Sequence, residues 1–284
     1  MPNSHDSKNI TRESENLKLA KKIIAGQDEN LDNMFGLAMR LKNERAFSHA
    51  RRILERARGK PEANGPDYRL KLAQQLALVT YKDPDLLPDE KLDEAFDILC
   101  EADYPQTTKN QETLGLAGAI HKRRWELDGQ KQHLERSLAF YLRGYEQGVE
   151  GDYGYTGINA AFALDLMADQ EEKEAGQSNV VLQSTADRRS KAREIREKIA
   201  RTLVEMAEKE EQTPLKREWW FLVTIAEAYF GLANYDEARK WLKVAAQLEG
   251  VPEWERESTI RQLAQLARIM GGWASAPGEE RESE

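Results

Sequence analysis

The sequence predicts an all-α protein, a right-handed α-solenoid of about twelve helices stacked in pairs. Three observations lead there. Strand signals are nearly absent: the β-branched cluster VTY at 79–81 closes a helical pattern, and VV at 180–181 lies in a polar stretch. Elsewhere Ala, Leu, Glu, Lys and Arg dominate, and apolar residues recur three and four apart, the helical period. The chain has 284 residues, 40% apolar and 32% charged, with a mean hydropathy of -0.75. That is polar for a compact globule but not depleted enough in apolar residues for disorder. An elongated fold with much surface per residue reconciles the two.

The elements follow from the apolar stripes and their punctuation. A first helix at 13–26 closes on Gly26. Met34, Leu37, Ala38 and Leu41 define 31–43, and Phe47, Ala50, Leu54 and Ala57 define 46–59, before the loop PEANGP at 61–66. Leu72, Ala73 and Leu76 mark 67–81. After DPDLLP at 83–88, Leu92, Ala95 and Leu99 mark 88–101, which ends ahead of Pro105. Leu114, Ala117 and Gly118 define 108–128, and Leu134, Ser137, Tyr141 and Gly144 define 130–147. A helix at 156–172 follows, then a polar stretch at 171–187 whose middle reads as a long mobile loop, then 186–211 with its stripe of Ile195, Ile199, Leu203 and Met206. The last helices are 215–232, 235–249 and, beyond Gly250 and Pro252, 252–270. Residues 1–12 and the acidic tail 271–284 read as disordered.

In 219–250, Leu222, Ile225, Ala226 and Tyr229 line one helix, and Tyr235, Ala238, Leu242 and Ala245 line the next across a short turn. Small residues where the helices cross and large ones around them make this segment resemble a tetratricopeptide repeat, a unit of about 34 residues. A second copy lies at 31–64, and looser ones at 67–104 and 111–147. With 156–211 and 215–250 they give five pairs and a capping helix at 252–270. One pair cannot bury both its apolar faces, so stacking into a single solenoid over 13–270 is expected. Trp219, Val223, Ala226 and Phe230 form a second apolar stripe, as a helix covered on two sides requires.

Catalytic chemistry finds no footing. There is no phosphate loop, kinase signature, HExxH or paired CxxC. No catalytic, cofactor or metal residue is assigned, and no enzyme is expected. The four histidines, at 5, 49, 121 and 133, are scattered and read as surface or partly packed. Cys100, the single cysteine, reads as a small buried residue, and excludes an internal disulfide. The carboxylate pairs Asp165 with Asp169, and Glu171 with Glu172, read as solvated helix faces. So do the cationic runs HKRRW (121–125) and RRSKAREIREKIAR (188–201). A net charge of -8 disfavours nucleic-acid binding. The polar start lacks a signal peptide's apolar core, and no stretch is apolar enough to span a membrane, so a cytoplasmic protein is expected.

The segment GVEGDYGYTGINAAFAL, 148–164, places glycine at 148, 151, 154 and 157. A phosphate loop normally follows a strand and often carries a lysine. Here the preceding segment is helical, no lysine follows, and Glu150 and Asp152 would repel a phosphate. The glycines read instead as a joint: Gly148 ends one helix, Gly151 and Gly154 turn the chain, and Thr156 caps the next.

LGLAGAIHKRRWELDG (114–129), SLAFYLRGYEQG (137–148), YTGINAAFAL (155–164) and EWWFLVTIAEAYFGLANYDEARKWLKVA (218–245) occur in this order. Together they resemble the TRAF-binding, central regulatory domain of apoptosis signal-regulating kinases and its bacterial relatives, over roughly 110–250. The sharpest points are Gly118, Tyr141, Gly157, Ile158, Asn159 and Trp220. The resemblance implies a non-catalytic helical scaffold that binds signalling proteins and controls an associated effector. No kinase domain is present, so phosphorylation does not carry over.

The expected function is therefore a non-catalytic protein-interaction scaffold in signalling or stress response, binding a protein or peptide along its concave face. First helices line such a face, and Arg123, Arg124, Asn159 and Trp220 are the candidate partner contacts. Adjacent Trp219 and Trp220 cannot point the same way, so one is expected between repeats and the other near the groove. The alternative is a regulatory sensor that binds a small molecule or nucleotide and controls a separate effector enzyme.

Overall fold

The computed structural model describes residues 13–175 and 183–274, and the described residues are almost wholly helical, with no strand. The α-helices are α1 (Glu15–Ile24), α2 (Leu31–Asn43), α3 (Phe47–Arg58), α4 (Pro66–Lys82), α5 (Pro88–Ala102), α6 (Gln111–Asp128), α7 (Lys131–Tyr145), α8 (Tyr155–Ala175), α9 (Gln183–Glu208), α10 (Trp219–Gly231), α11 (Tyr235–Ala246) and α12 (Glu253–Ala274). Short 3-10 helices lie at Pro61–Asn64 and Glu210–Arg217. None of the described helices is long and apolar enough to cross a membrane.

Observed and predicted helices differ at a few ends, for local reasons. The helix predicted from 108 starts at Gln111, because Asn110 caps it by accepting from the Thr113 amide at 3.0 Å. The helix predicted from 215 starts at Trp219, behind a 3-10 segment that contains Pro214, which has no amide proton to give. The free tail expected from 271 is helical as far as Ala274. Positions 176–182, at the centre of the expected loop, and the expected disordered ends 1–12 and 275–284 lie outside the described residues.

Consecutive helices pack as pairs, α2 with α3, α4 with α5, α6 with α7, α8 with α9 and α10 with α11, and each pair packs on the next. The first helices α4, α6, α8 and α10 also touch in series, which makes them the inner layer of an α-solenoid. Two apolar cores fill the stack. One joins α1 to α6 around Leu37, Leu41, Leu54, Leu72 and Leu76; the other joins α7 to α12 around Phe162, Ile199, Phe221, Leu222 and Ile225. Each such fully buried side chain contributes roughly 1.5–3 kcal/mol.

Close approach at the crossings needs small residues. A Cβ on Gly118 would stand 2.7 Å from the Tyr141 ring, and one on Gly157 would stand 2.6 Å from Tyr145. Ser137, packed at the first of these crossings, donates its hydroxyl to the Gly118 carbonyl at 2.8 Å. The joint before α8 is a turn, as expected, with Gly148 and Gly154 at φ 120° and 72°. Its cap differs from expectation. The Asp152 carboxylate, rather than Thr156, accepts the Thr156 amide at 2.8 Å and the Gly154 amide at 3.0 Å, and helix begins at Tyr155.

Several side chains expected at the surface are buried. Asp165 and Arg196 form an ion pair at 2.6 Å inside the α8–α9 contact. Gly231 makes room for that guanidinium, since a Cβ there would lie 2.3 Å from its Nε. His121 is buried, stacked on Phe140 with ring centroids 5.5 Å apart and edged by Phe96. Cys100, expected inside, is only half-buried.

Candidate functional site

The inner layer does more than pack. Gln75, Leu78 and Lys82 of α4, Glu112, Leu116, Ala119 and Arg123 of α6, and Trp220, Val223 and Glu227 of α10 recur at three and four residues and face one space. Tyr155, Ile158 and Asn159 at the start of α8 complete the wall. These stripes adjoin the faces buried between repeats, and Leu116, Ile158 and Val223 belong to both. A helix carrying both is covered nearly all round, which is why every residue of α6 from Thr113 to Lys122 is buried.

Helix α12 lies across this space as a roof. Trp254, near its start, meets Phe47 of α3 edge to face, with centroids 6.0 Å apart. Arg45, in the turn before α3, forks onto both Glu257 oxygens at 2.8 Å. Arg256 stacks over Trp219 at 5.0 Å, on the far side of the solenoid. Gln262, further along α12, donates to the Glu227 carboxylate at 2.9 Å and accepts from Lys122 at 3.0 Å. The roof thus ties the first repeats to the last. Beneath it remains a cavity of about 460 Å³, within the range that holds small molecules.

The chamber carries buried charge. Lys122, Asn159 and Glu227 retain 9%, 5% and 6% of their exposure. Lys122 also approaches the Asn159 side-chain oxygen at 3.4 Å and sits over the Phe162 ring at 5.1 Å. Burial brings the Lys122 ammonium down to about 8, and it holds the Glu227 carboxyl above the usual carboxylate range. Lys82 sits over the Trp254 ring at 4.5 Å. Its ammonium is brought down to about 7 by burial first, then by the charge of Arg123. Tyr141 lines the same space with its hydroxyl buried and unpartnered among the described residues.

Of the four candidate contacts, the structure brings three to this chamber. Arg123 lines it, tied to Glu126 on its own helix. Asn159 is in the wall, its amide donating to the Tyr155 carbonyl at 2.9 Å. Trp220 is 37% exposed and meets Tyr155 edge to face, centroids 6.5 Å apart. Its neighbour Trp219 turns into the α7–α12 core. Arg124 does not reach the chamber. It turns to α5, donates to Asp93 at 2.6 Å and stacks over Phe96. Lys122, expected on a solvated face with the rest of HKRRW, is instead buried in the chamber wall, because α8 and α12 cover that side of α6; Lys82, Glu227 and the residues of α12 were not among the expected contacts. The polar residues among them were readable as a second stripe on the first helices, but the roof had no local signal.

The model of the family described as Tetratricopeptide Repeats-Sensor matches residues 46–164, from the start of α3 into α8. No curated protein matches the chain. Among solved structures, the chain is similar to MamA protein, at 17% identity over 76% of this chain and 89% of that one, with a TM-score of 0.36. It is also similar to BtubC (BKLC) from P. vanneervenii, at 11% identity over 95% and 92% of the two chains, with a TM-score of 0.40. The repeat pairs and their small-residue crossings make the chain an α-helical repeat protein of solenoid form, similar over 46–164 to tetratricopeptide sensor repeats.

Proposed function

We propose that the protein is a non-catalytic interaction scaffold of tetratricopeptide type, in signalling or stress response, whose recognition site is the concave chamber beneath α12. The observation that carries this reading is Lys122, Asn159 and Glu227, three buried polar groups gathered from three inner helices around one cavity. Buried polar groups without a packing role weaken a fold, and they are retained where recognition uses them. The resemblance of the segment order over roughly 110–250 to the regulatory domain of apoptosis signal-regulating kinases is the ground for a signalling role. Aromatic burial on Trp220 and Tyr155 would supply affinity, and the charged groups would supply orientation.

The test is affinity capture with mass spectrometry from the native organism. We compare wild type, an Arg123→Ala/Asn159→Ala/Trp220→Ala variant and Arg124→Ala. A partner held by wild type and Arg124→Ala but lost from the triple variant is expected. Capture that the triple variant leaves intact removes the chamber as the recognition site.

A second reading is favoured by α12 itself. Its presence across the groove leaves a volume that also suits a small molecule, and the matched family is one of sensor repeats. On this reading a ligand settles in the chamber and the scaffold reports it to a separate effector. Ligand binding to the native state raises the melting temperature, so thermal-shift screening of small molecules separates the two readings.

A further inference from the structure

We propose that Lys82, Lys122, Arg123 and Arg261 form a seat for the polyanionic head group of a small molecule, a phosphate or a polycarboxylate, between α4, α6 and α12. This rests on the ligand reading of the chamber.

The four cations come from three helices: Lys82, Arg123 and Arg261 gather around Trp254, and Lys122 faces the main chamber beside Gln262. Lys82 and Arg123 line both the main chamber and an adjoining cavity of about 370 Å³, to which Arg261 also contributes. Cations buried for structural reasons are normally paired. Arg196 with Asp165, and Arg51 with Asp83 at 2.7 Å, show this chain doing so. Among the described residues, by contrast, no carboxylate lies at ion-pair distance from the buried Lys122 or the half-buried Lys82, while half-buried Arg123 pairs with Glu126 and Arg261 stands exposed beside them. The unpartnered Tyr141 hydroxyl adds a donor to the same space. Guanidinium and ammonium groups around one volume match a compact anion of more than one charge. The indole of Trp254 and the ring of Tyr81, which lies 5.3 Å from the Lys82 ammonium, offer apolar walls for the rest of the molecule.

The charge state of Lys82 supplies a second signature. It is faced by Tyr81 of its own helix, by Lys122, Arg123 and Glu126 of α6, by Glu255, Glu257 and Arg261 of α12, by Lys91 of α5 and by Arg45. With a folded value near 7, it is partly neutral at physiological pH. A seated anion stabilises the charged form, so binding takes up protons and weakens as pH rises above 7.

The experiment is calorimetric titration and thermal melting of the full chain with sodium pyrophosphate and, separately, sodium citrate. Saturable binding of either probe to wild type is expected, with proton uptake at pH 7–8; the stronger probe identifies the head group as phosphate or polycarboxylate. Lys82→Met is expected to melt no lower than wild type without ligand, since the half-buried ammonium has no carboxylate partner to lose and the methionine keeps the apolar contact with Trp254, and to bind at least about tenfold more weakly. Arg261→Gln, exposed on α12, is expected to keep the wild-type melt and lose affinity. Lys240→Met, on the outer surface of α11, is expected to change neither. The proposal is overturned if neither probe binds wild type, or if Lys82→Met and Arg261→Gln bind as wild type does. Absent anion binding, with partner capture still lost in the triple chamber variant, would remove this inference and leave protein recognition standing.

Discussion

The indole of Trp254 and the phenyl ring of Phe47 meet edge to face, with centroids 6.0 Å apart, and join α12 to the second repeat helix more than two hundred residues earlier in the chain. Both rings are buried, at 8% exposure each. Trp254→Ala is therefore expected to destabilise the roof by about 3–5 kcal/mol, the usual loss for a buried tryptophan. Arg45→Ala removes a half-exposed ion pair beside it and is expected to change stability by less than about 1 kcal/mol. Urea unfolding of both variants checks this. Equal, small losses would show that α12 is not held by its indole.

His121 gives the protein an acid-sensitive core. Burial first, and then the charge of Arg124, bring its imidazole from 6.5 down to about 3. The folded state thus keeps it neutral while the unfolded chain protonates it. Stability falls as pH drops from about 6.5 towards 3, by about 2 kcal/mol at pH 5 from this group alone. His121→Phe preserves the stack on Phe140 and removes the proton site. It is expected to resemble wild type at pH 7 and exceed it by roughly that margin at pH 5, in chemical denaturation at the two values. Parallel losses in both proteins would assign the acid limb to other groups.

Gly118→Ala probes the closest crossing of the middle pair. Its Cβ would meet the Tyr141 ring at 2.7 Å, and the ring, fully buried, has no open side to retreat to. A loss of about 1–3 kcal/mol is expected, as for overpacking generally. Gly129→Ser, by comparison, meets no neighbouring atom but sits at a φ of 71°, so its smaller loss would be one of backbone strain alone. Thermal melts of the two variants distinguish packing from strain.

The helices and their pairing were legible because each apolar stripe is local. Met34 to Leu41 and Leu222 to Tyr229 state their period within three turns. Part of the chamber was legible for the same reason. Asn159 and Trp220 stand on first helices at positions the repeat contacts leave free. Arg123 and Arg124 show the limit of that reasoning. One residue turns a helix by about 100°, enough to send Arg124 to Asp93 while Arg123 faces the cavity. Asp165 and Arg196 looked like surface charges because a buried pair has the same residue types as a solvated one, and only the fold supplies its partner. The roof was not legible at all. The Lys122–Gln262 and Arg45–Glu257 contacts link residues 140 and 212 positions apart, and an amphipathic last helix in a repeat array reads as a cap. Its apolar residues do not say whether it closes the end of the stack or crosses the groove.

Competitive lysine acetylation, read by mass spectrometry on the intact chain, tests the covered chamber most directly. Lys122 lies under α12, and Lys240 stands exposed on α11. Burial brings Lys122 down to about 8, which favours the reactive neutral amine, so slow acetylation must come from enclosure. Lys122 is expected to react at least about tenfold more slowly in the intact protein than in a chain ended after Val251 that retains its helical circular dichroism, with Lys240 as the unchanged reference. Equal Lys122 rates in the two chains would contradict a chamber roofed by α12.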